Sequence, residues 1–156
     1  MARYTATIDV PVPTEGAFDY LAEFSTTQDW DPGVSEAEML TPAPVALGSR
    51  FRVVAGFAGR KVPLTYEITA YDRPHRVTVR AENSSTISED TITFTTVSGT
   101  SADGDHLSVR YEADLRLKGG YRLFEPVLAV AFNRIGDRAA AGLRAALLDR
   151  ASRPSA

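Results

Sequence analysis

The 156-residue chain contains no cysteine, which removes disulfides, thiolate nucleophiles and cysteine-bound metal in one step. Histidine is almost as scarce: His75 follows Pro74 at a turn and His106 opens a strand. Neither has a second histidine at ligand spacing, so both read as surface residues and no metal is expected. Positive charge is nowhere concentrated. The 17 Lys and Arg stand against 20 Asp and Glu, a net charge of −3, which disfavours nucleic acid and anionic membranes as partners. No apolar run approaches bilayer length, and Met1-Ala2-Arg3-Tyr4-Thr5 has no charged-then-apolar pattern. Stable membrane insertion is therefore not expected, and a cytoplasmic location is the default. No Gly-x-Ser-x-Gly elbow surrounds a serine, Gly56, Gly59, Gly99 and Gly104 match no phosphate loop, and no internal repeat is visible; no cofactor is expected.

What is present is an ordinary globular composition, 44% hydrophobic and 24% charged, long enough for one sizeable core. Residues 1–150 read as a single domain and 151–156 as a disordered tail. The longest element is a predicted helix over residues 121–150. At about 100° per residue, Phe124, Leu128, Ala131, Phe132, Ile135, Ala139, Gly142, Leu143 and Ala146 share one stripe, with Arg122, Asn133, Asp137 and Arg144 opposite. Its first half is bulky and its second half small. The second half is expected to lie close to a sheet, and the first to stand further off with space beneath its rings.

Ahead of that helix, residues 3–10 alternate as a half-buried strand, ended by Pro11 and Pro13. Ala17, Phe18, Leu21 and Phe24 imply a short helix over 14–23. Ser25 and Gln28 have the form of a capping box for a second, which stops near Trp30-Asp31-Pro32-Gly33. Strands follow over 36–40, 50–57, 62–71, 76–83, 89–97 and 106–117, separated by turn residues that include Asp103-Gly104. Short connections make them antiparallel neighbours. One parity carries Phe51, Val53, Ala55, Phe57, Val62, Leu64, Tyr66, Ile68, Ala70, Val77, Val79, Ala81, Leu107, Val109, Tyr111, Ala113 and Leu115. The other carries Arg50, Arg52, Lys61, Glu67, Arg80, Glu82, Arg110, Glu112, Asp114 and Arg116. Such a sheet has one dry face and one wet face.

The order of elements and several short stretches resemble the START-like and birch-pollen-allergen-like (SRPBCC) superfamily, in particular its polyketide cyclase/dehydrase branch. The stretches are Ile8-Asp9-Val10-Pro11-Val12, Ala17-Phe18-Asp19-Tyr20-Leu21, Trp30-Asp31-Pro32, Gly48-Ser49-Arg50-Phe51, residues 66–74, residues 111–115 and Gly119-Gly120. The resemblance covers Tyr4 to about Leu148. It implies an α+β helix-grip fold: a seven-stranded curved antiparallel sheet around a long C-terminal helix, with two short helices between strands 1 and 2. It also implies a cavity between sheet and helix that binds or transports hydrophobic molecules, or in some members cyclises or aromatises them. Fold alone does not decide between these.

The expected pocket is lined by Trp30, Phe51, Leu64, Tyr66, Val79, Phe94, Tyr111, Phe124, Leu128 and Phe132. The strand arginines Arg52, Arg80, Arg110 and Arg116 all have outward parity, unless a β-bulge reverses one. That leaves Tyr66, Asn83, Asp90 and Tyr111 as candidate catalytic groups, with Thr96 also facing in and Trp30 and Asp31 at a mouth. Each has a plain alternative: hydroxyl-bonded core tyrosines, a turn asparagine, a loop aspartate, and for Asp90 a frayed strand end. If Asp90 faces in, as Ile92 and Phe94 imply, its carboxyl is buried with a raised pKa.

Three functions follow. One is a binding or carrier module for a lipid-like or aromatic molecule, acting as a monomer or homodimer. A second is a cyclase, aromatase or dehydratase using the same cavity. The third is an interaction protein with a filled interior, favoured if no cavity of about 300 Å³ exists.

Overall fold

The computed structural model describes residues 2–57, 59–99 and 106–152, with the side chains of residues 57, 128, 151 and 152 left out. The Asp103-Gly104 turn and residues 153–156 lie outside the described residues. Strand β1 (Ala2–Val10) buries Tyr4, Ile8 and Val10 and exposes Arg3, Thr5, Thr7 and Asp9. Helix α1 (Thr14–Ala22) follows the proline pair and buries Ala17, Phe18, Leu21 and Ala22. A 3₁₀ turn (Phe24–Thr26) leads into the single turn of α2 (Thr27–Trp30). The expected capping box does not form, since no side chain caps either element. Gln28 instead uses its Oε1 to accept the Ala37 N–H at 3.2 Å, and Thr27 donates its hydroxyl to the Phe24 carbonyl at 2.8 Å.

The remaining strands are β2 (Val34–Met39), β3 (Arg50–Phe57), β4 (Arg60–Asp72), β5 (Arg76–Glu82), β6 (Thr86–Val97) and β7 (His106–Leu117). They form one curled antiparallel sheet in the order β1-β7-β6-β5-β4-β3-β2. It is a meander from β2 to β7 with the first strand added beyond the last. Strand β6 starts at Thr86, three residues before the expected Glu89.

Among the described residues the dry face follows the expected parity except in β4. The β4/β5 register shifts between Ile68 and Ala70, so Ala70 stands opposite Thr78 and Tyr71 opposite the buried Val77. The extra residue turns Tyr71 inward, where its ring meets Phe18 at 5.4 Å, and moves Ala70 out of the inward row. None of the strand arginines is reversed. On the wet face Arg52 meets Glu36, Arg80 meets Glu82 and Arg110 meets Glu112 at 3.5, 2.7 and 3.0 Å. These are solvent-screened pairs that add little to stability.

The C-terminal helix begins later than the periodicity implies. Gly119–Phe124 is a 3₁₀ segment and α3 spans Glu125–Ser152. Pro126, in the first helical turn, has no N–H to leave unpaired there. Leu117 donates its N–H to Glu125 Oε1 at 3.1 Å, fastening the helix start to the end of β7.

Helix α3 lies against β1 and α2, and glycine permits both approaches. A Cβ on Gly136 would sit 2.5 Å from the Tyr4 ring, and one on Gly142 would sit 1.8 Å from the Trp30 carbonyl oxygen. Beyond them Leu143 and Leu147 are fully buried. The other end stands clear, with Leu123, Phe124, Val127 and Val130 all exposed. A helix clamped at one end and free at the other is the geometry expected from its small and bulky halves.

Candidate functional site

Two cross-strand rows on the dry face build the site. Tyr66 on β4, Ala81 on β5, Ser88 on β6 and Leu115 on β7 form one row. Ile68, Val79, Asp90, Ala113 and Tyr4 form the next. Ala81 ends at its Cβ, so the Tyr66 side chain crosses β5 and its hydroxyl reaches Ser88 Oγ at 2.8 Å. Tyr111, one row further along β7, donates its hydroxyl back to Asp90 Oδ2 at 2.6 Å. Two tyrosines thus converge on two small polar residues spaced two apart along one strand. Among the described residues, this is the only side-chain hydrogen bond to the Asp90 carboxylate.

Above this polar group lies a cavity of about 180 Å³. Val53, Leu64, Leu115 and Leu117 line its sheet side, Phe24 its α1–α2 side, and Phe132, Ile135 and Ala139 its α3 side. Its polar lining is Tyr4, Thr27, Asp31, Tyr66, Thr86, Ser88, Asp90 and Tyr111; no Lys, Arg or His contributes among the described residues.

The electrostatics follow from burial without a counter-charge. Burial pushes the Asp90 carboxyl up to about 7, Asp31, Asp114 and Glu89 add to the rise, and the Tyr111 hydrogen bond opposes it. Asp31 is also raised by burial, against the Gly33 N–H that its Oδ1 accepts at 2.8 Å. Burial raises both Tyr66 and Tyr111, with the Asp90 carboxylate adding to it. Tyr4 is pushed up to about 12 by burial and by donating to Asp137 Oδ1 at 2.9 Å.

Of the residues expected to line the pocket, Leu64, Tyr66, Tyr111 and Phe132 are on its wall. Four others pack around it. Trp30 meets Tyr111 edge-on at 6.0 Å, Phe51 sits behind Phe24 at 6.4 Å, Val79 is paired with Asp90, and Phe94 lies under α1 against Phe18 at 5.2 Å. Phe124 is 62% exposed and off the wall. The Leu128 side chain lies outside the described residues.

Among the polar candidates, Asp90 is not at a frayed end: it stands mid-strand, 7% exposed. Asn83 closes the β5–β6 turn, its Oδ1 accepting the Ser85 and Thr86 N–H groups at 2.9 and 2.8 Å. Thr96 is exposed and bonded to Thr14 at 2.7 Å. Sequence reasoning missed Tyr4, Phe24, Ser88 and Ile135 as wall residues. The Ser88 position was available by counting back in twos from Phe94, Ile92 and Asp90.

A curled sheet gripping a helix, with an apolar hollow under the helix's middle turns, defines a helix-grip protein of the START-like class, whose cavity suits a hydrophobic ligand. The chain belongs to the family described as polyketide cyclase/dehydrase and lipid transport, whose model matches residues 1–148. Among solved structures, a Thermus thermophilus protein is similar with TM-score 0.76 and 18% identity, over 96% of this chain and 99% of that one. The Zhui aromatase/cyclase from a Streptomyces species follows at TM-score 0.71 and 15% identity, over 97% and 93%. A START superfamily protein from Mycobacterium smegmatis gives 0.68 and 12%, over 95% and 98%. At these identities the likeness is one of fold. No curated protein matches the sequence. No described helix is long and apolar enough to cross a membrane.

Proposed function

We propose that this protein binds, and as a carrier delivers, a small lipid-like or aromatic molecule held between the sheet and α3. The observation that carries the reading is the division of the wall: hydrocarbon from the sheet strands and from α3 on most sides, polar groups gathered at Ser88 and Asp90. Burial of the ligand's apolar surface supplies the affinity, about 25 cal/mol per Å² removed from water, and the hydroxyls orient it. The cavity, about 180 Å³, falls short of the roughly 300 Å³ typical of drug-sized sites. By the criterion set above, that shortfall counts toward the interaction-protein reading, but the interior is not filled; an apolar cavity of about 150 Å³ suffices for benzene, so the volume limits the ligand's size. A single ring or a short acyl chain is the scale that fits without movement of α3.

The test is organic extraction of protein purified without detergent, mass spectrometry of the extract, and a thermal-shift screen of single-ring and short-chain compounds. A recurrent bound molecule, or a rise in Tm that saturates with concentration, supports the reading. Neither in any condition would overturn it.

A second reading, a cyclase, aromatase or dehydratase, is favoured by one specific feature. Asp90 is a carboxyl of pKa about 7, held by Tyr111 beside the cavity, a suitable general base at neutral pH. On that reading, replacing Asp90 by Asn removes turnover and leaves ligand binding measurable, while a variant of Asn83 has no effect on either.

A further inference from the structure

The polar end of the cavity is one-sided in charge, and that restricts what enters it. Asp90 is 7% exposed, lines the cavity and accepts only from Tyr111 on Oδ2, so Oδ1 is an acceptor with no donor among the described residues. Beside it, the Tyr66–Ser88 pair shares one hydrogen bond between two hydroxyls, which leaves one hydroxyl proton to give. The groups that act on Asp90 are Tyr66 from β4, Glu89 from its own strand, Tyr111 and Asp114 from β7, and Asp31 from the turn after α2. On the α3 side Asp137 accepts from Tyr4 of β1, a residue of the cavity wall. None of these carries positive charge in either protonation state.

Resting on the cavity reading above, we propose that the site takes a small apolar or single-ring molecule bearing an amine, seated on Asp90 Oδ1, and rejects the matching carboxylate. An ammonium brings the counter-charge and the donor that the buried carboxylate lacks. A carboxylate would add an unpaired negative charge beside two existing acids and has no cation to meet it. A neutral alcohol gains a hydrogen bond but no charge pairing, and falls between.

The experiment uses two matched sets, phenethylamine, phenethyl alcohol and phenylacetate, then hexylamine, hexanol and hexanoate, titrated into the full chain at about pH 8. Trp30, the chain's single tryptophan, packs edge-on against Tyr111 and reports binding through its emission. The amine is expected to bind about tenfold or more tighter than the carboxylate in each set. Its affinity rises from pH 6 to pH 8 as Asp90 ionises, while that of the alcohol stays flat. In Asp90→Asn the amine's advantage over the alcohol disappears and alcohol binding persists, with near-ultraviolet circular dichroism checking the fold. Tyr111→Phe provides a second route: it removes the donor that holds Asp90 ionised, so the midpoint of the amine's pH profile moves upward. Carboxylate binding equal to or tighter than amine binding overturns the charge assignment and leaves the cavity reading standing. Failure of all six probes to bind overturns the amine assignment, and overturns the cavity reading as well when extraction of the purified protein yields no bound molecule.

Discussion

Asp90 shows how one side chain links stability to pH. Its folded pKa of about 7 lies above the roughly 3.9 of an aspartate in an unfolded chain. The folded state therefore holds a proton that the unfolded state has released. The stability associated with that proton is fully present below about pH 4 and is lost as pH rises to about 7. Asp90→Asn keeps an oxygen for the Tyr111 hydroxyl and removes the ionisation. We expect it to stabilise the protein at pH 8, with a ceiling on the order of 4 kcal/mol from about 1.4 kcal/mol per pKa unit, and to change little at pH 4.5. Urea unfolding of both proteins at the two pH values checks this; an equal difference at both would contradict it. The residue's inward direction was legible, since Ile92 and Phe94 share its parity. Its depth was not. Thr86 and Ser88 are polar, so the alternation fades before the strand ends, and Asp90 looked terminal when it is central. The meeting of Tyr66 with Ser88 and Tyr111 with Asp90 depends on which residues lie opposite one another across β4 to β7. That is a property of pairing, which no single strand's pattern contains.

Helix α3 is fixed by what two of its residues lack. Helix propensity alone makes Gly→Ala favourable by about 1 kcal/mol at an interior position. At Gly142 the new methyl would meet the Trp30 carbonyl oxygen at 1.8 Å, and at Gly136 the Tyr4 ring at 2.5 Å. A backbone carbonyl cannot rotate away, whereas a ring can shift slightly. We expect Gly142→Ala to destabilise by about 3 kcal/mol or more and Gly136→Ala by about 1–3 kcal/mol. Gly16 in α1 is the control: nothing lies within 4 Å of its missing Cβ. Gly16→Ala should stabilise by about 0.5 kcal/mol. Thermal or urea unfolding of the three variants reads the order, and a stabilised Gly142→Ala would contradict the clamp. The antiparallel pairing of consecutive strands and most strand limits were legible, because apolar and charged residues alternate over most of the stretch from Arg50 to Leu117 and the connections are short; the place of β1 beside β7 was not. The β4 bulge was not, because Tyr66, Ile68 and Ala70 recur with a period of two in the sequence, and nothing in that pattern marks the extra residue that takes Ala70 out of the inward row. Nor was the late start of α3, where the apolar stripe runs unbroken across Phe124 although Gly119, Gly120 and Pro126 favour a tighter turn before it.

For the molecule as a whole, a hollow is a deficit in packing, because the atoms lining it forgo contacts that a filled interior would make. Filling it from the protein's own side should therefore raise the stability of the unliganded chain and remove what a ligand could add. Ala55 on β3 is suited to the test: it lines the cavity and is half-buried, so a larger side chain there is expected to extend into the hollow. Ala55→Leu introduces three carbons, and at about 0.8 kcal/mol per buried CH₂ the gain is on the order of 2 kcal/mol if all three are enclosed. In the native chain a ligand at about a hundred times its Kd adds about 2.7 kcal/mol. At about 2–4 °C per kcal/mol for a chain of this size, that raises Tm on the order of 5–10 °C. We expect Ala55→Leu to start from an equal or higher Tm and to lose most of the ligand-induced rise. Scanning calorimetry with and without the tightest probe separates the outcomes. A higher baseline with no ligand response locates binding in the hollow. A full ligand response in the filled variant locates it elsewhere on the molecule, and would take the Asp90 cluster out of the binding site with it.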